Sequence, residues 1–187
     1  MLNSQYVNNI YPLPFQSIQS FLALTERVFF EKGALIFEEL KPEKYIYIIE
    51  KGMVRAYKNY NDLEVTFWFG LEGDTIISME NYVKGLKSYE NVEAIENVEA
   101  YRINVTELKK LYLQDIHICN WGRCYAENEL LKTELRLISR QFTSATERYL
   151  DLLANHPEII KRVPLRDIAS YLGITQVSLS RIRSELK

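Results

Sequence analysis

The sequence predicts an α+β fold: an antiparallel double-sheet β-roll (jelly-roll-like), a long dimerisation helix and a C-terminal helix-turn-helix. Three observations predict it. Between Arg27 and Asn104 the chain is a series of short runs rich in Ile, Val, Tyr and Phe, broken by turn residues. From Asp115 to Gln141 apolar side chains recur seven residues apart. Near the C-terminus two helical patterns are separated only by Gly173-Ile174-Thr175. The expected division is a roll over 1–112, a long helix over 113–141 and a helix-turn-helix domain over 142–187.

Residues 17–26 read as a short helix capped by Ser17. Strand-like runs follow at 28–30, 34–37, 45–49, 53–57, 65–69, 75–77, 90–94 and 100–103. Turn residues at Lys32-Gly33, Lys41-Pro42, Lys51-Gly52, Asn61-Asp62, Gly70 to Gly73 and Asn97 separate them. Closely spaced β-branched and aromatic runs with such breaks fit an antiparallel roll or barrel. Thr106 to Lys110 reads as a short helix.

In the long helix, His117, Cys124, Leu131 and Ile138 form one series, and Trp121, Asn128, Leu135 and Phe142 a second, four residues on. Two interleaved series make the seam that a partner helix requires. The expected dimer seam is therefore Trp121, Cys124, Asn128, Leu131, Leu135 and Ile138, with Asn128 as a buried polar residue that sets register. A third series, Ile116, Leu130 and Leu137, is expected to face the chain's own roll. The competing reading buries all three stripes inside one chain.

Ser144-Ala145-Thr146-Glu147 is a capping box, so a new helix starts there and runs to Asn155. The break at Phe142-Thr143 makes a hinge, and Pro157 stops the second helix. Pro164 and Gly173 bracket another short helix, proline at its start and glycine just past its end. Thr175 caps the last one. On it Leu179, Ile182 and Leu186 share one side, and Gln176, Val177, Ser180, Arg181 and Ser184 the other. Two helices joined this tightly form a helix-turn-helix, whose second helix enters the major groove of DNA.

The exposed face suits that task. Arginine forks onto guanine, glutamine pairs with adenine, and an apolar group touches the thymine methyl. Arg181, Gln176 and Val177 supply one of each, while Ser178 and Ser180 reach phosphates or base edges. With Arg166, Thr175 and Arg183 alongside, these are the expected DNA contacts. Taken alone, the last helix reads better as an amphipathic helix with solvated Arg and Gln; the Pro-start, Gly-stop helix and the tight turn before it reverse that reading.

The 187-residue chain carries 23 basic and 25 acidic side chains, a formal −2. Residues 161–187 hold six basic side chains (Lys161, Arg162, Arg166, Arg181, Arg183, Lys187) against Asp167 and Glu185, giving +4 and leaving −6 on the remainder. A basic end on an acidic body is the footprint of a small DNA-binding module attached to something that does other work. At 47% hydrophobic residues a full core is available. No signal peptide and no run of the roughly 20 apolar residues needed to span a membrane is visible. Cys119 and Cys124, five apart on a helix, point to different faces and fit a reducing, cytoplasmic setting.

Taken together, the order of elements resembles the Crp/Fnr family of bacterial transcription regulators. The resemblance rests on Glu147-Arg148-Tyr149-Leu150, on Arg162-Val163-Pro164-Leu165-Arg166-Asp167-Ile168-Ala169-Ser170-Tyr171-Leu172-Gly173-Ile174 and on Ser178-Leu179-Ser180-Arg181-Ile182-Arg183. In the roll, Tyr45 to Val54 resembles the family's strand–Gly–strand turn, and Phe69-Gly70 to Gly73-Asp74 its ligand loop. The resemblance places base reading at Gln176, Val177 and Arg181, and implies a ligand pocket at Phe69, Gly70, Gly73, Asp74, Ser88 and Tyr89. It implies a homodimer on a double-stranded DNA operator, RNA polymerase as a further partner and an unknown small-molecule effector, with no membrane partner.

The family's cyclic-nucleotide binders hold the phosphate with a Gly-Glu pair and an Arg-Ser pair. Here Asp74 follows Gly73, and Lys87-Ser88-Tyr89-Glu90 has no arginine, so cyclic AMP is not expected. Lys84 and Lys87 read as solvated loop lysines. There is no four-cysteine cluster for an iron–sulfur centre, and His117 and His156 are the only histidines, so no metal or cofactor is expected. The family often adds a β-hairpin wing beyond the recognition helix, and none is expected after Arg183. The alternative class is a roll module that regulates a partner protein without binding DNA. An enzyme is not expected: residues 27–104 contain no histidine, and no Gly-x-Ser-x-Gly elbow occurs.

Overall fold

The computed structural model describes residues 2–61 and 63–186. Strands β1 (Glu26–Phe30), β2 (Leu35–Phe37), β3 (Tyr45–Lys51), β4 (Val54–Tyr60), β5 (Leu63–Gly70), β6 (Thr75–Ile76), β7 (Asn91–Ala94) and β8 (Val98–Asn104) coincide with the eight predicted runs. They form two antiparallel four-stranded sheets, ordered β1-β8-β3-β6 and β2-β7-β4-β5. Ile49, Val54, Ala56, Val92, Ala94 and Ala100 fill the space between the sheets. The small alanines let the sheets approach, and the Phe37 and Tyr47 rings meet edge-on at 5.7 Å in the same cluster. Asn61 adopts φ +48 at the predicted β4–β5 turn; Asp62 and Lys187 lie outside the described residues.

Helices α1 (Ser4–Ile10) and α2 (Phe15–Ala23) precede the roll, and α3 (Met79–Lys84) interrupts it. Neither α1 nor α3 was expected. The second helix begins after Pro14, and Ser17, expected to cap it, is instead a buried residue within it. Asn104 caps α4 (Val105–Gln114), and Asp115 caps α5 (Ile116–Phe142), the predicted long helix. Helices α6 (Ala145–Asn155), α7 (Pro157–Arg162), α8 (Leu165–Leu172) and α9 (Gln176–Glu185) complete the chain. The capping box at Ser144 and Glu147 is formed in both directions. Pro157 does not end the helical region; it is the first residue of α7, where its missing N–H is harmless. Leu186 lies past the end of α9 and is exposed, so the apolar stripe of that helix reduces to Leu179 and Ile182.

The long helix presents a different face to its own chain than the heptads suggested. Ile118 and Trp121 are fully buried beneath β3, β8, α1 and α2. The Trp121 indole donates to the Val7 carbonyl at 3.1 Å and meets the Phe21 ring edge-on at 4.8 Å. Trp121 is therefore a core residue and not a seam residue. Further along, the Tyr125 hydroxyl donates to the Thr75 carbonyl at 3.1 Å and Arg136 to the Phe67 carbonyl at 2.6 Å. The inward stripe is thus 118, 121, 125 and 136. Ile116, Leu130 and Leu137, expected to face the roll, are 68%, 70% and 58% exposed.

Candidate nucleic-acid interface and ligand pocket

The C-terminal helices assemble around a core of their own that is continuous with the roll. Tyr149, Leu152, Ile159, Val163, Ile168, Leu172, Leu179 and Ile182 are buried together with Met53, Phe69 and Ile95 from the roll. Gly173 ends α8 in the left-handed region at φ +72, which turns the chain sharply enough for α9 to pack across α8. Thr175 then caps α9, its hydroxyl accepting from the Ser178 N–H at 3.1 Å and lying 2.9 Å from the Ser178 hydroxyl.

With Leu179 and Ile182 facing inward, Gln176, Val177, Ser180 and Arg181 are all exposed, and Val177 keeps 63% of its surface in water. Among the described residues no carboxylate pairs with Arg181 or Arg183. The predicted base-reading residues thus share one open face. Thr175 and Ser178 are engaged in the cap, and Arg183 is half-buried. Arg166 sits elsewhere, at the start of α8, with Glu64 of β5 at 3.7 Å and Asp167 at 3.1 Å.

Ion pairs, buried at α8 and half-exposed at α7, join these helices to the roll, and local sequence pattern gave no sign of them. Arg55 on β4, 3% exposed, contacts Glu64 at 2.5 Å, Glu93 at 2.8 Å and Asp167 at 2.8 Å. Burial works against its charge, but the carboxylates of Glu93, Glu64 and Asp167 outweigh this and hold its pKa above the ordinary range. The Ser170 hydroxyl bridges the same elements, accepting from the Thr66 N–H at 2.9 Å and donating to the Glu64 carbonyl at 2.8 Å. Arg162 of α7 pairs with Glu96 and, at 2.8 Å, with Glu72. Burial alone would raise the Glu72 carboxyl; Arg162 and the Gly52 N–H hold it below its usual value.

The residues expected to form one ligand pocket are dispersed. Phe69 turns toward the C-terminal helices and meets the Tyr171 ring at 5.1 Å, so it belongs to their core. Gly70 lies beneath the Trp68 ring, which a Cβ would strike. Ser88 is buried, its hydroxyl 2.8 Å from that of Ser78. Tyr89 lies beside Phe67 with Lys58 over its ring. Only Gly73 and Asp74 line an open cleft, of about 480 Å³, between α1, their own turn and α5. Sequence reasoning missed the rest of that cleft, including Tyr6, Asn9 and Tyr125. Among the described residues no group of three side chains is arranged to hold a metal ion.

The family model of the cyclic nucleotide-binding domain matches residues 27–115, just under half of the chain. No curated protein matches it in sequence. Among solved structures, FixK2 from Bradyrhizobium japonicum is similar at 25% identity and TM-score 0.74, covering 87% of this chain and 84% of that one. The c-di-GMP-responsive global regulator CLP of Xanthomonas campestris shares 18% identity at TM-score 0.74, over 92% and 91% of the two chains. The Thermus thermophilus catabolite activator protein shares 16% at TM-score 0.61, over 95% and 85%. The chain as a whole has the architecture of the Crp/Fnr-family regulators, with the long helix and the two C-terminal helices in the expected order. No described helix is long and apolar enough to cross a membrane.

Proposed function

We propose that this chain is a homodimeric, sequence-specific DNA-binding transcription regulator whose roll responds to an effector other than cyclic AMP. The observation that carries the reading is the face of α9. Its Arg, Gln and Val are exposed together, while the opposite side is anchored by Leu179 and Ile182 against α8. A rigidly held helix presenting this donor set is what major-groove reading requires. Solvated side chains on an ordinary surface helix need neither the tight Gly173 turn nor the bare basic face.

Dimerisation is supported by α5, where Leu131, Leu135 and Ile138 are 54%, 57% and 46% exposed, with Leu130, Leu137 and Phe142 beside them. So much apolar surface along one helix marks an interaction site. A second copy along this helix would place two α9 helices to read half-sites about one DNA turn, roughly 34 Å, apart. In this reading 1–112 senses, 113–141 pairs and 142–187 binds DNA.

Two features of the roll argue against a cyclic-nucleotide phosphate. The Ser88 hydroxyl is engaged by Ser78, and the neighbouring Glu90 is buried with one carboxylate oxygen lacking any partner among the described residues. Arg55, the buried guanidinium of the roll, is already committed to three carboxylates. An anion placed there would face an acid without compensating donors.

The test is selection of bound duplexes from a random pool, followed by footprinting of the enriched sequence. Enrichment of a near-palindrome with half-sites one turn apart is the expected result. Failure to enrich any sequence at moderate salt overturns the reading.

A further inference from the structure

We propose that the cleft between α1, the Glu72–Thr75 turn and the middle of α5 is an effector site for a small organic amine. Its volume of about 480 Å³ suits a ligand of a few to a dozen or so heavy atoms. Two aromatic side chains, Tyr6 and Tyr125, line it along with the amides of Asn9 and Asn128. Gly73 takes φ +90 at the turn, and the Tyr6 ring lies so close that an added Cβ would come within 2.9 Å of it.

The sign of the ligand follows from pairing off the charges in the cleft. Glu129 is paired with Lys132 at 2.7 Å, and Glu72 with Arg162 at 2.8 Å. Asp74 has no ionic partner among the described residues; its Oδ2 accepts one bond, from the Leu71 N–H at 2.9 Å. Burial raises the Asp74 carboxyl above its usual range, against the Leu71 N–H and the more distant charges of Lys132 and His156. The cleft thus holds one carboxylate without an ion pair among the described residues, and two tyrosines. Thr75, 6% exposed, also lines the cleft, and its hydroxyl has no partner among the described residues. A cationic nitrogen would pair with Asp74 and lie against the ring faces, where cation–π attraction adds to the ion pair. Lys132 also lines the cleft, but against Glu72, Asp74 and Glu129 it leaves the lining acidic, which disfavours an anion.

Occupancy would act on both other parts of the molecule, a consequence that rests on the DNA-binding reading. Glu72, on the same turn as Asp74, holds Arg162 of α7 and the Gly52 N–H. On the α5 wall, Asn128 and Leu131 belong also to the face proposed to pair with a second copy. A ligand that shifts this turn therefore biases the docking of the C-terminal helices and the geometry of the dimer together.

Calorimetric titration of the full chain with putrescine and with choline tests the site without DNA, using 1,4-butanediol as the uncharged control. The expected result is saturable heat with an amine and none with the diol. Asp74→Asn should weaken the amine at least about tenfold. Asn9→Lys, which changes an exposed residue of α1 and supplies a competing cation, should do the same while leaving the fold intact. No saturable heat with either amine, or parental affinity retained in both variants, overturns the site. In a second arm, operator affinity of the parent and of Asp74→Asn is compared at one amine concentration, so that direct amine–DNA effects cancel. Absence of any operator binding both with and without amine counts against the DNA-binding reading alone. Equal amine response in parent and variant overturns the regulatory role of the cleft.

Discussion

Arg55 and Asp167, 112 residues apart in the chain, meet at 2.8 Å in a place where both are almost wholly removed from water. The pair fastens α8 to sheet strands of the roll, so the position of α9, packed on α8, is set partly from outside the C-terminal helices. Removing one member of such a pair leaves a buried charge without its counterion, which typically costs about 3–5 kcal/mol. Asp167→Ala should therefore lower stability to urea by about 3 kcal/mol, at the low end because Glu64 and Glu93 still face Arg55. A loss below about 1 kcal/mol would show that the pair does not hold the two parts together.

The long helix predicts opposite outcomes for two of its apolar residues. Leu135→Glu replaces an exposed side chain and should leave the melting temperature of the monomer nearly unchanged while abolishing the dimer in sedimentation. Trp121→Ala should do the reverse, costing about 3–5 kcal/mol of folding stability through lost burial and the cavity beneath α1 and α2. A dimer that survives Leu135→Glu would move the seam to another face.

These two residues also show what local sequence can and cannot reveal. Both lie in one heptad series, yet the structure buries one and leaves the other exposed. The first turns of the helix, with Ile118 and Trp121, are covered by α2 and by α1, and no periodic pattern announces α1. A seven-residue helix such as α1 is stabilised by contacts like Val7 against Trp121 more than by its own sequence. Elements carried by strong local signals, the eight strands, the Ser144 capping box and the Pro164–Gly173 bracket, were all legible. So was the α9 face, because its polarity follows the helical period. The ligand pocket was not, since it depended on which side of β5 Phe69 occupies, and the β-bulge near Ala56 and Tyr57 shifts that register. The ion pairs of Arg55 and Arg162 span too much sequence to be read from any motif.

Glu90 gives a pH-dependent prediction. Only 3% exposed, its carboxyl is raised by burial, with the charge of Glu80 adding to the effect and Ser78 and backbone N–H groups opposing it. A raised folded-state pKa means that the folded chain holds this proton more tightly than the unfolded one. The contribution of Glu90 to stability is therefore greatest in acid and declines as pH rises from the ordinary carboxylate value, about 4.3, through the raised one. Glu90→Gln removes that penalty, and its gain at pH 7 should be on the order of 1 kcal/mol. The gain should shrink to nothing below about pH 4, where both states of the parent are protonated. Urea titrations at the two pH values measure it, and a gain independent of pH would refute the assignment.

Arg181 gives the most direct test of the proposed interface. It stands on the open face of α9, and its backbone is fixed by a helix whose neighbours Leu179 and Ile182 are buried. Arg181→Ala should leave the fold and the dimer untouched, because among the described residues no carboxylate depends on it. Binding to the selected operator should weaken by about 1–3 kcal/mol per half-site, with discrimination relaxed at one base pair and retained elsewhere. Gln176→Ala should relax a different base pair, since it lies more than one turn away on the same face. Lys58→Ala, on the roll, should change neither. If Arg181→Ala instead lowers affinity equally for every sequence, the residue contacts phosphate and the reading of bases belongs to its neighbours.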